Sequence, residues 1–208
     1  MIKAVIFDVD GTLLDSFEAN LKFFQDLMAA AGHPGLTRER YSQMYHLNMR
    51  DVIRVLLVSA PEDEIVRIWD LGRSRAVRYL LELVHMPEGA AETIKILSQD
   101  YLLGIATSRL EENVYEVPDL AALRHYFRVT VAYEDTINHK PDPAPLILTA
   151  ERLGVSPEES VYVGDAETDL QAARAAGMKM ILYSKHPASD ADASTSSFQE
   201  LPELVARL

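Results

Sequence analysis

The sequence predicts an α/β protein whose parallel sheet is interrupted after the first strand by an all-helical insertion. The first observation is a short apolar run, Ala4–Phe7, which is typical of a buried strand. The second is helical periodicity over residues 17–85 without a strand pattern. The third is a change at Met86 to alternating strand and helix patterns, which favours a parallel sheet with crossover helices.

Four helices are predicted inside the insertion: over residues 17–31, from Thr37, around Val52, and from Ser59 to about Val84. The last begins with Ser-Ala-Pro-Glu at positions 59–62, which is a capping box with proline in the first turn. Because turn-forming residues mark the change of pattern at positions 87–89, we predict an insertion of residues 16–86. Residues 1–15 and 87–208 then form the sheet-containing core.

The remaining elements of the core follow in strict alternation. Strands are predicted over 101–106, 129–133, 161–163 and 178–183, and helices up to 98, around 118, and over 143–153, 169–176 and 202–208. Residues 184–197 are rich in serine and aspartate and are predicted to form a loop. Ligands of such sheets bind beyond the carboxyl ends of the strands, so residues directly after the strands are candidates for a site.

Composition and charge restrict the classes of function. The chain has 208 residues, 48% of them hydrophobic, which allows one domain with an insertion or two modest domains. It has no cysteine, which excludes disulfides, thiolate nucleophiles and zinc–thiolate sites. The net charge of −12 argues against nucleic acid as a partner. The apolar segment before Asp8 is too short for a signal peptide and no run approaches a membrane span, so a cytoplasmic protein without membrane contact is expected.

A short acidic segment follows the first predicted strand. Asp8 lies where the strand ends, Asp10 is two positions later, and Gly11 permits a sharp turn. Side chains two positions apart on an extended segment point the same way, and paired carboxylates suit a hard cation such as Mg²⁺. The spacing alone leaves open whether both carboxylates bind the ion.

The whole segment at positions 8–16, Asp-Val-Asp-Gly-Thr-Leu-Leu-Asp-Ser, resembles the signature of the haloacid dehalogenase superfamily and of its phosphatase branch in particular. The resemblance implies that Asp8 is a nucleophile that forms an aspartyl-phosphate. It implies that Asp10 binds the metal through its backbone carbonyl and serves as general acid and base. It also implies a Rossmann-like core with a helical cap inserted after the first strand, a layout that covers essentially the full chain.

Three later segments resemble the other motifs of that family. Thr107, with Ser108 beside it, resembles the motif that holds the phosphoryl oxygens, although an isolated threonine more often caps a helix. Lys140, in the segment His-Lys-Pro-Asp-Pro, resembles the lysine that pairs with the nucleophile and the phosphoryl group. The segment after the fourth strand resembles an acidic motif in which Asp165 completes the Mg²⁺ shell. Asp169 would bind the metal through water or orient the lysine.

Arginines occur in the loop of the second motif and throughout the helical insertion. Arg109, in the loop of the second motif, is interpreted as a solvated surface residue rather than a phosphate ligand. Most arginines of the insertion are interpreted as solvated or paired with acids such as Glu62 and Glu64. Arg50 is taken as the exception, because it begins a helix, where acids are favoured, in a region where relatives place a specificity loop. Asp51 offers an alternative, simple neutralisation. We predict that Arg50 binds a second anionic group of the substrate.

The resemblance therefore implies a Mg²⁺-dependent phosphatase acting on a small phosphorylated metabolite, with phosphoglycolate phosphatase as the nearest specific activity. The carboxylate of Asp10 favours phosphoryl transfer over dehalogenation, because an alcohol leaving group needs a proton and a halide does not. A sugar phosphomutase is the nearest alternative, although such enzymes often have histidine where this chain has Asn20. A signalling receiver domain and a non-catalytic phosphate-binding regulator are further alternatives. The substrate, and the choice between monomer and homodimer, stay open.

Overall fold

The computed structural model describes residues 1–184 and 190–208. The chain divides into two compact units. Met1–Asp15 and His85–Leu208 form the first, here called the core unit, and Ser16–Val84 form the second, here called the helical unit. The second boundary lies before the predicted residue 86, because His85 and Asp15 exchange backbone hydrogen bonds of 2.8 and 3.2 Å.

The core unit contains one parallel sheet. Its strands are β1 Ala4–Phe7, β2 Leu102–Ala106, β3 Phe127–Val131, β4 Ser160–Gly164, β5 Lys179–Tyr183 and β6 Ala193–Thr195. They lie in the order β3-β2-β1-β4-β5-β6, so β1 is central and pairs with β2 and β4. Every residue of β1 and β4 is buried, as expected for strands covered on both faces. The predicted α/β parallel sheet is confirmed.

The helices surround these strands in the core unit and make up the helical unit. The α-helices of the described residues are α1 Phe17–Ala30, α2 Arg38–Ser42, α3 Met49–Leu56, α4 Glu62–Arg73, α5 Ala90–Asp100, α6 Pro118–Ala122, α7 Ala144–Leu153, α8 Glu167–Ala176 and α9 Leu201–Arg207. The helical unit has its own apolar core, in which Tyr41, Ile53 and Ile68 are almost fully buried. In the part of the chain that is described, no helix is both long and apolar enough to cross a membrane.

The prediction for the fourth helix of the insertion is wrong at both ends. Its N-cap is Pro61 and no side chain caps it, because Ser59 lies too far upstream to reach the first turn. The helix ends at Arg73 rather than near Val84. Arg75 has a φ of 59°, a left-handed backbone conformation that cannot continue a right-handed helix. Only a short 3₁₀ turn, Leu81–Leu83, follows before the core unit resumes.

Two predicted boundaries in the core unit also differ. The third strand ends at Val131 instead of residue 133, because the Asp135 carboxylate accepts the backbone N–H of Ala132 at 2.8 Å and begins a 3₁₀ turn. The segment 184–197, predicted as a loop, contains β6, which pairs in parallel with β5. Positions 185–189 of that prediction lie outside the described residues.

Candidate active site

The polar side chains predicted to form a site follow three adjacent strands of the core unit. Asp8 comes directly after β1, Thr107 after β2, and Asp165 after β4. Because β1 pairs in parallel with both of the other strands, the three chain segments leave the sheet at the same edge. The loop between β3 and α7 brings Lys140 to the same edge, where it contacts Asp8.

Lys140 lies between two buried carboxylates. Its Nζ is 3.0 Å from Asp8 Oδ1 and 2.7 Å from Asp169 Oδ1, and its side chain is only 6% exposed. Burial alone would lower the pKa of Lys140, but the charges of Asp169 and Asp8 outweigh burial and hold that pKa well above its usual value. Lys140 therefore places a positive charge directly beside Asp8.

Tyr162 is a site residue that the sequence does not reveal. It lies in the middle of β4, where alternation and burial indicate a core position. Its hydroxyl accepts a hydrogen bond from Lys140 Nζ at 3.0 Å and donates to the carbonyl of Ala106 at 2.9 Å. The Tyr162 hydroxyl thus helps to fix the position of the Lys140 ammonium group. Only the folded structure shows that this hydroxyl faces Lys140.

Asp169 accepts hydrogen bonds from protein donors at both carboxylate oxygens. One oxygen accepts from Lys140, and the other accepts the backbone N–H groups of Asp165 and Ala166 at 3.1 Å each. A Cβ atom at Gly164 would lie 2.5 Å from Asp169 Oδ2, so this close approach of the backbone requires glycine. Of the two roles implied for Asp169, the contacts favour orientation of Lys140 and of the loop that carries Asp165.

The carboxylates of Asp8, Asp165 and Asp169 form a group that suits a divalent cation. Each offers an oxygen, and these atoms lie within 4.8 Å of one another. Burial raises the pKa of Asp8 from 3.8 to about 7, although Lys140 acts in the opposite direction. Burial, followed by the charges of Asp169 and Asp8, also raises the pKa of Asp165 well above its usual value. Three carboxylates facing one lysine leave an excess of negative charge that Mg²⁺, with its preference for oxygen ligands, would offset.

Gly11 completes the shape of this group. Its φ is +81°, in the left-handed region, and an added Cβ would overlap the Asp165 carboxylate. The backbone of the first motif can therefore approach Asp165 only with glycine at this position. Within the described residues, the Asp10 carboxylate does not belong to the group. That Asp10 binds the metal through its backbone carbonyl stays a prediction.

The Asp10 carboxylate instead binds an arginine. Arg109 Nε and Nη2 donate to the two carboxylate oxygens of Asp10 at 2.8 Å each, and the Arg109 side chain is only 8% exposed. The interpretation of Arg109 as a solvated surface residue is therefore wrong. No local pattern reveals the contact, since the partners are 99 positions apart in the sequence.

Thr107 and Ser108 occupy the loop after β2. Thr107 is buried, its N–H donates to the carbonyl of Val131 at 3.0 Å, and its hydroxyl oxygen accepts the N–H of Arg109 at 3.2 Å. It caps no α-helix, so the alternative interpretation of this threonine does not hold. Ser108 is half-buried. The structure places both residues in the loop that the resemblance associates with the phosphoryl oxygens.

Arg50 lies in the helical unit, in the first turn of α3 after the N-cap Asn48. Its Nη2 donates to Glu62 Oε1 at 2.6 Å, and its guanidinium carbon lies 5.8 Å from the ring centre of Trp69. Arg54 contacts the same Glu62 oxygen at 2.8 Å. Arg50 is thus paired with a neighbouring acid like other arginines of the unit, so treating it as an exception to that pattern is wrong. Its role toward a substrate stays a prediction.

Comparisons with known proteins agree with the geometry. The family model of the haloacid dehalogenase-like hydrolases matches residues 5–183. The chain is 31% identical over 213 residues to a phosphoglycolate phosphatase of Xylella fastidiosa, covering 99% of this chain and 92% of the relative. It is also similar to a subfamily IA hydrolase of the same superfamily from Geobacter sulfurreducens, with 32% identity, a TM-score of 0.71, and coverage of 98% and 96%. A third similarity is to a mutant of CbbY from Rhodobacter sphaeroides in complex with xylulose-1,5-bisphosphate, with 27% identity, a TM-score of 0.83, and coverage of 97% and 96%.

Proposed function

We propose that this chain, which belongs to the haloacid dehalogenase-like hydrolase family, is a Mg²⁺-dependent phosphatase. It would hydrolyse small phosphate monoesters through an aspartyl-phosphate. One observation carries the proposal. Asp8 is a buried carboxylate at the end of the central strand, and one of its oxygens is held by Lys140 within a carboxylate group suited to a cation. A nucleophile needs this combination of fixed orientation and neutralised surroundings.

In the first step, Asp8 attacks the phosphorus atom and the ester oxygen leaves as an alcohol that takes a proton from Asp10. In the second step, Asp10 accepts a proton from water, which attacks the phosphorus atom, releases inorganic phosphate and regenerates the Asp8 carboxylate. A bound Mg²⁺ would offset negative charge on the carboxylates and the phosphoryl group. Lys140 supplies a further fixed positive charge beside Asp8. Thr107 and Ser108 would hold the phosphoryl oxygens.

The names of the similar proteins suggest a substrate class. Phosphoglycolate carries a carboxylate besides its phosphate, and xylulose-1,5-bisphosphate carries a second phosphate. A small ester with a second anionic group is therefore the substrate class that we propose for this chain. Arg50 stays our candidate for binding that group, because a guanidinium suits a carboxylate or a phosphate. To bind it, Arg50 would have to exchange or share its contact with Glu62.

Phosphate release from a panel of esters tests the activity and the substrate class together. The wild-type protein with Mg²⁺ should hydrolyse 2-phosphoglycolate or a sugar bisphosphate with a higher kcat/KM than p-nitrophenyl phosphate, which has no second anion. Arg50→Ala should raise KM for the preferred ester by roughly tenfold or more, about 1.4 kcal/mol, and leave p-nitrophenyl phosphate hydrolysis unchanged.

Arg67→Ala is the matched control for the panel, since Arg67 also forms an exposed ion pair within the helical unit, with Glu64 at 2.7 Å. This variant should leave both KM values unchanged. Equal losses on both esters in Arg50→Ala would mean that Arg50 supports the helical unit instead of specificity. Absence of phosphate release from every ester would refute the proposed activity itself.

The phosphomutase alternative depends on the position of Asn20. In the helical unit, the Asn20 amide nitrogen donates to Ser16 Oγ at 3.2 Å, and the amide oxygen accepts from the Tyr79 hydroxyl at 2.8 Å. An amide cannot exchange protons as a histidine can, and this amide is held by its neighbours on both sides. These contacts support hydrolysis over a mutase reaction.

Binding of Mg²⁺ should be measurable without any substrate. After treatment with EDTA, addition of Mg²⁺ at about 100 times its Kd should stabilise the protein by about 2.7 kcal/mol and raise Tm by several degrees at pH 8. The shift should be smaller at pH 5.5, because the raised pKa of Asp8, about 7, leaves the carboxyl protonated there and the cation must displace that proton. Treatment with EDTA should also stop phosphate release.

The Asp165→Asn variant should lose most of this Mg²⁺-induced shift. Asp192→Asn is the matched control, since Asp192 is an acid of the core unit that pairs with Lys179 outside the carboxylate group. It should keep the full shift even if its own Tm is lower. An unchanged shift in Asp165→Asn would show that the cation binds elsewhere.

A further inference from the structure

One arginine fixes the Asp10 carboxylate at both oxygens. Besides the two 2.8 Å contacts to Asp10, the Arg109 guanidinium donates through Nη1 to the carbonyl of Asn113 at 3.2 Å. A planar guanidinium that meets a carboxylate at two points fixes the rotation of the carboxylate plane as well as its position. A single-point contact, such as that from a lysine, would fix only the distance.

Arg109 is itself held in place by its backbone. Its N–H donates to the Thr107 hydroxyl oxygen at 3.2 Å, and its carbonyl accepts the N–H of Tyr133 at 2.8 Å. The other arginines of the core unit that pair with a carboxylate among the described residues are Arg152, Arg174 and Arg207, with side chains 42%, 62% and 67% exposed. Arg109, at 8%, differs from this exposed group and belongs to the interior of the site.

We propose that Arg109 is a positioning residue for proton transfer by Asp10, which it holds in the orientation that serves the ester oxygen and then the attacking water. This inference rests on the proposed function, in which Asp10 is the acid and base. Arg109 cannot replace Asp10, because a guanidinium stays protonated in proteins and has no proton to exchange. It acts only through the orientation of its partner.

The ion pair between Arg109 and Asp10 can stay intact while Asp10 transfers a proton. A carboxylate has about four lone-pair sites, and the two hydrogen bonds from Arg109 use one on each oxygen. A proton carried on another site can pass to the leaving oxygen, and the same site can later take a proton from water. Asp10 remains 26% exposed, so its carboxylate stays accessible to a reacting group. No net proton is consumed by the residue over the cycle.

The leaving group provides a readout that a purely structural role would not affect. Aryl phosphates have good leaving groups and need little protonation, whereas alkyl phosphates need it strongly. The rate of aspartyl-phosphate formation can be followed in a single turnover. Arg109→Leu should lower this rate by about 30-fold or more for an alkyl phosphate and by less than about threefold for an aryl phosphate. Arg109→Lys, which keeps the charge without the two-point contact, should give an intermediate loss on the alkyl ester. Arg152→Leu is the control, because it removes an ion-paired arginine of the same unit, and both rates should stay at the wild-type level.

A double-mutant cycle tests whether Arg109 acts through Asp10. Asp10→Asn alone should show the same selective loss on the alkyl ester. The double variant Asp10→Asn/Arg109→Leu should then be within about threefold of Asp10→Asn, because no proton transfer is left to orient. Equal losses on both esters in Arg109→Leu, or a multiplicative loss in the double variant, would overturn the proposal.

Crystal structures of the wild type and of Arg109→Lys separate this proposal from the proposed function. If the wild-type protein hydrolyses neither ester, the proposed phosphatase activity fails. The two crystal structures then still show whether Arg109 sets the orientation of the Asp10 carboxylate. A changed orientation of the Asp10 carboxylate in the variant supports the role of Arg109. An unchanged orientation overturns it, because Asp10 would then be held without the two-point contact.

Discussion

Replacement of Asp8 by asparagine should lower phosphate release by about 10⁴-fold or more, because an amide cannot act as the nucleophile. The substitution keeps the shape of the side chain, and its amide oxygen can still accept a hydrogen bond from Lys140. It also removes a buried carboxylate whose pKa burial raises to about 7. The cation-free variant should therefore be at least as stable as the wild type at pH 8, so that loss of activity cannot be attributed to unfolding.

Two further measurements complete this test. Acid-quenched wild-type protein should retain phosphate from a labelled ester as the aspartyl-phosphate, and Asp8→Asn should retain none. Asp100→Asn, an acid-to-amide change at an exposed position at the end of α5, should behave as wild type in both assays. Near wild-type turnover in Asp8→Asn would rule out Asp8 as the nucleophile.

The agreement between sequence and structure is best where a motif directly follows a strand. Asp8 and Asp165 come after apolar runs that are typical of buried strands and form them, and parallel strands bring such residues to one edge. The pattern of the sequence is therefore sufficient to predict that these carboxylates gather at one place. The end of strand β3 differs by two residues because the side chain of Asp135 terminates the strand, and apolar alternation does not record such a contact.

The features that sequence reasoning missed depend on contacts between distant positions or on unusual backbone conformation. Arg109 looks like any loop arginine until the fold places it against Asp10. Tyr162 looks like a core residue. The sequence pattern of β4 indicates that its side chain is buried but not which group its hydroxyl contacts. Helix α4 is shorter than predicted because nothing in the pattern signals the positive φ of Arg75, a residue type that rarely adopts it.

Replacement of Lys140 by methionine should have the second-largest effect, on both stability and activity. Methionine keeps much of the side-chain volume but removes the charge that faces Asp8 and Asp169 at 3.0 and 2.7 Å. Removing one partner of a buried ion pair leaves uncompensated buried charge, which typically costs about 3–5 kcal/mol. Activity should fall by about 10³-fold, since Asp8 loses both its orientation and a charge that stabilises the transferring phosphoryl group.

The stability loss in Lys140→Met should depend on pH in a defined direction. In the cation-free wild type, burial already raises the pKa of Asp8 to about 7 with Lys140 acting to lower it, so without the lysine the protonated carboxyl is favoured further. A carboxyl whose folded pKa exceeds its unfolded value destabilises the folded state as pH rises through that interval. The free energy of unfolding, measured by urea titration in EDTA, should therefore differ from wild type more at pH 8 than at pH 5.5.

Lys179→Met is the matched control, because Lys179 also pairs with a carboxylate at 2.7 Å but is 46% exposed. Exposed pairs contribute about 0–1 kcal/mol, so this variant should change little at either pH. A loss in Lys140→Met no larger than in Lys179→Met would show that the buried lysine does not hold the carboxylate group together.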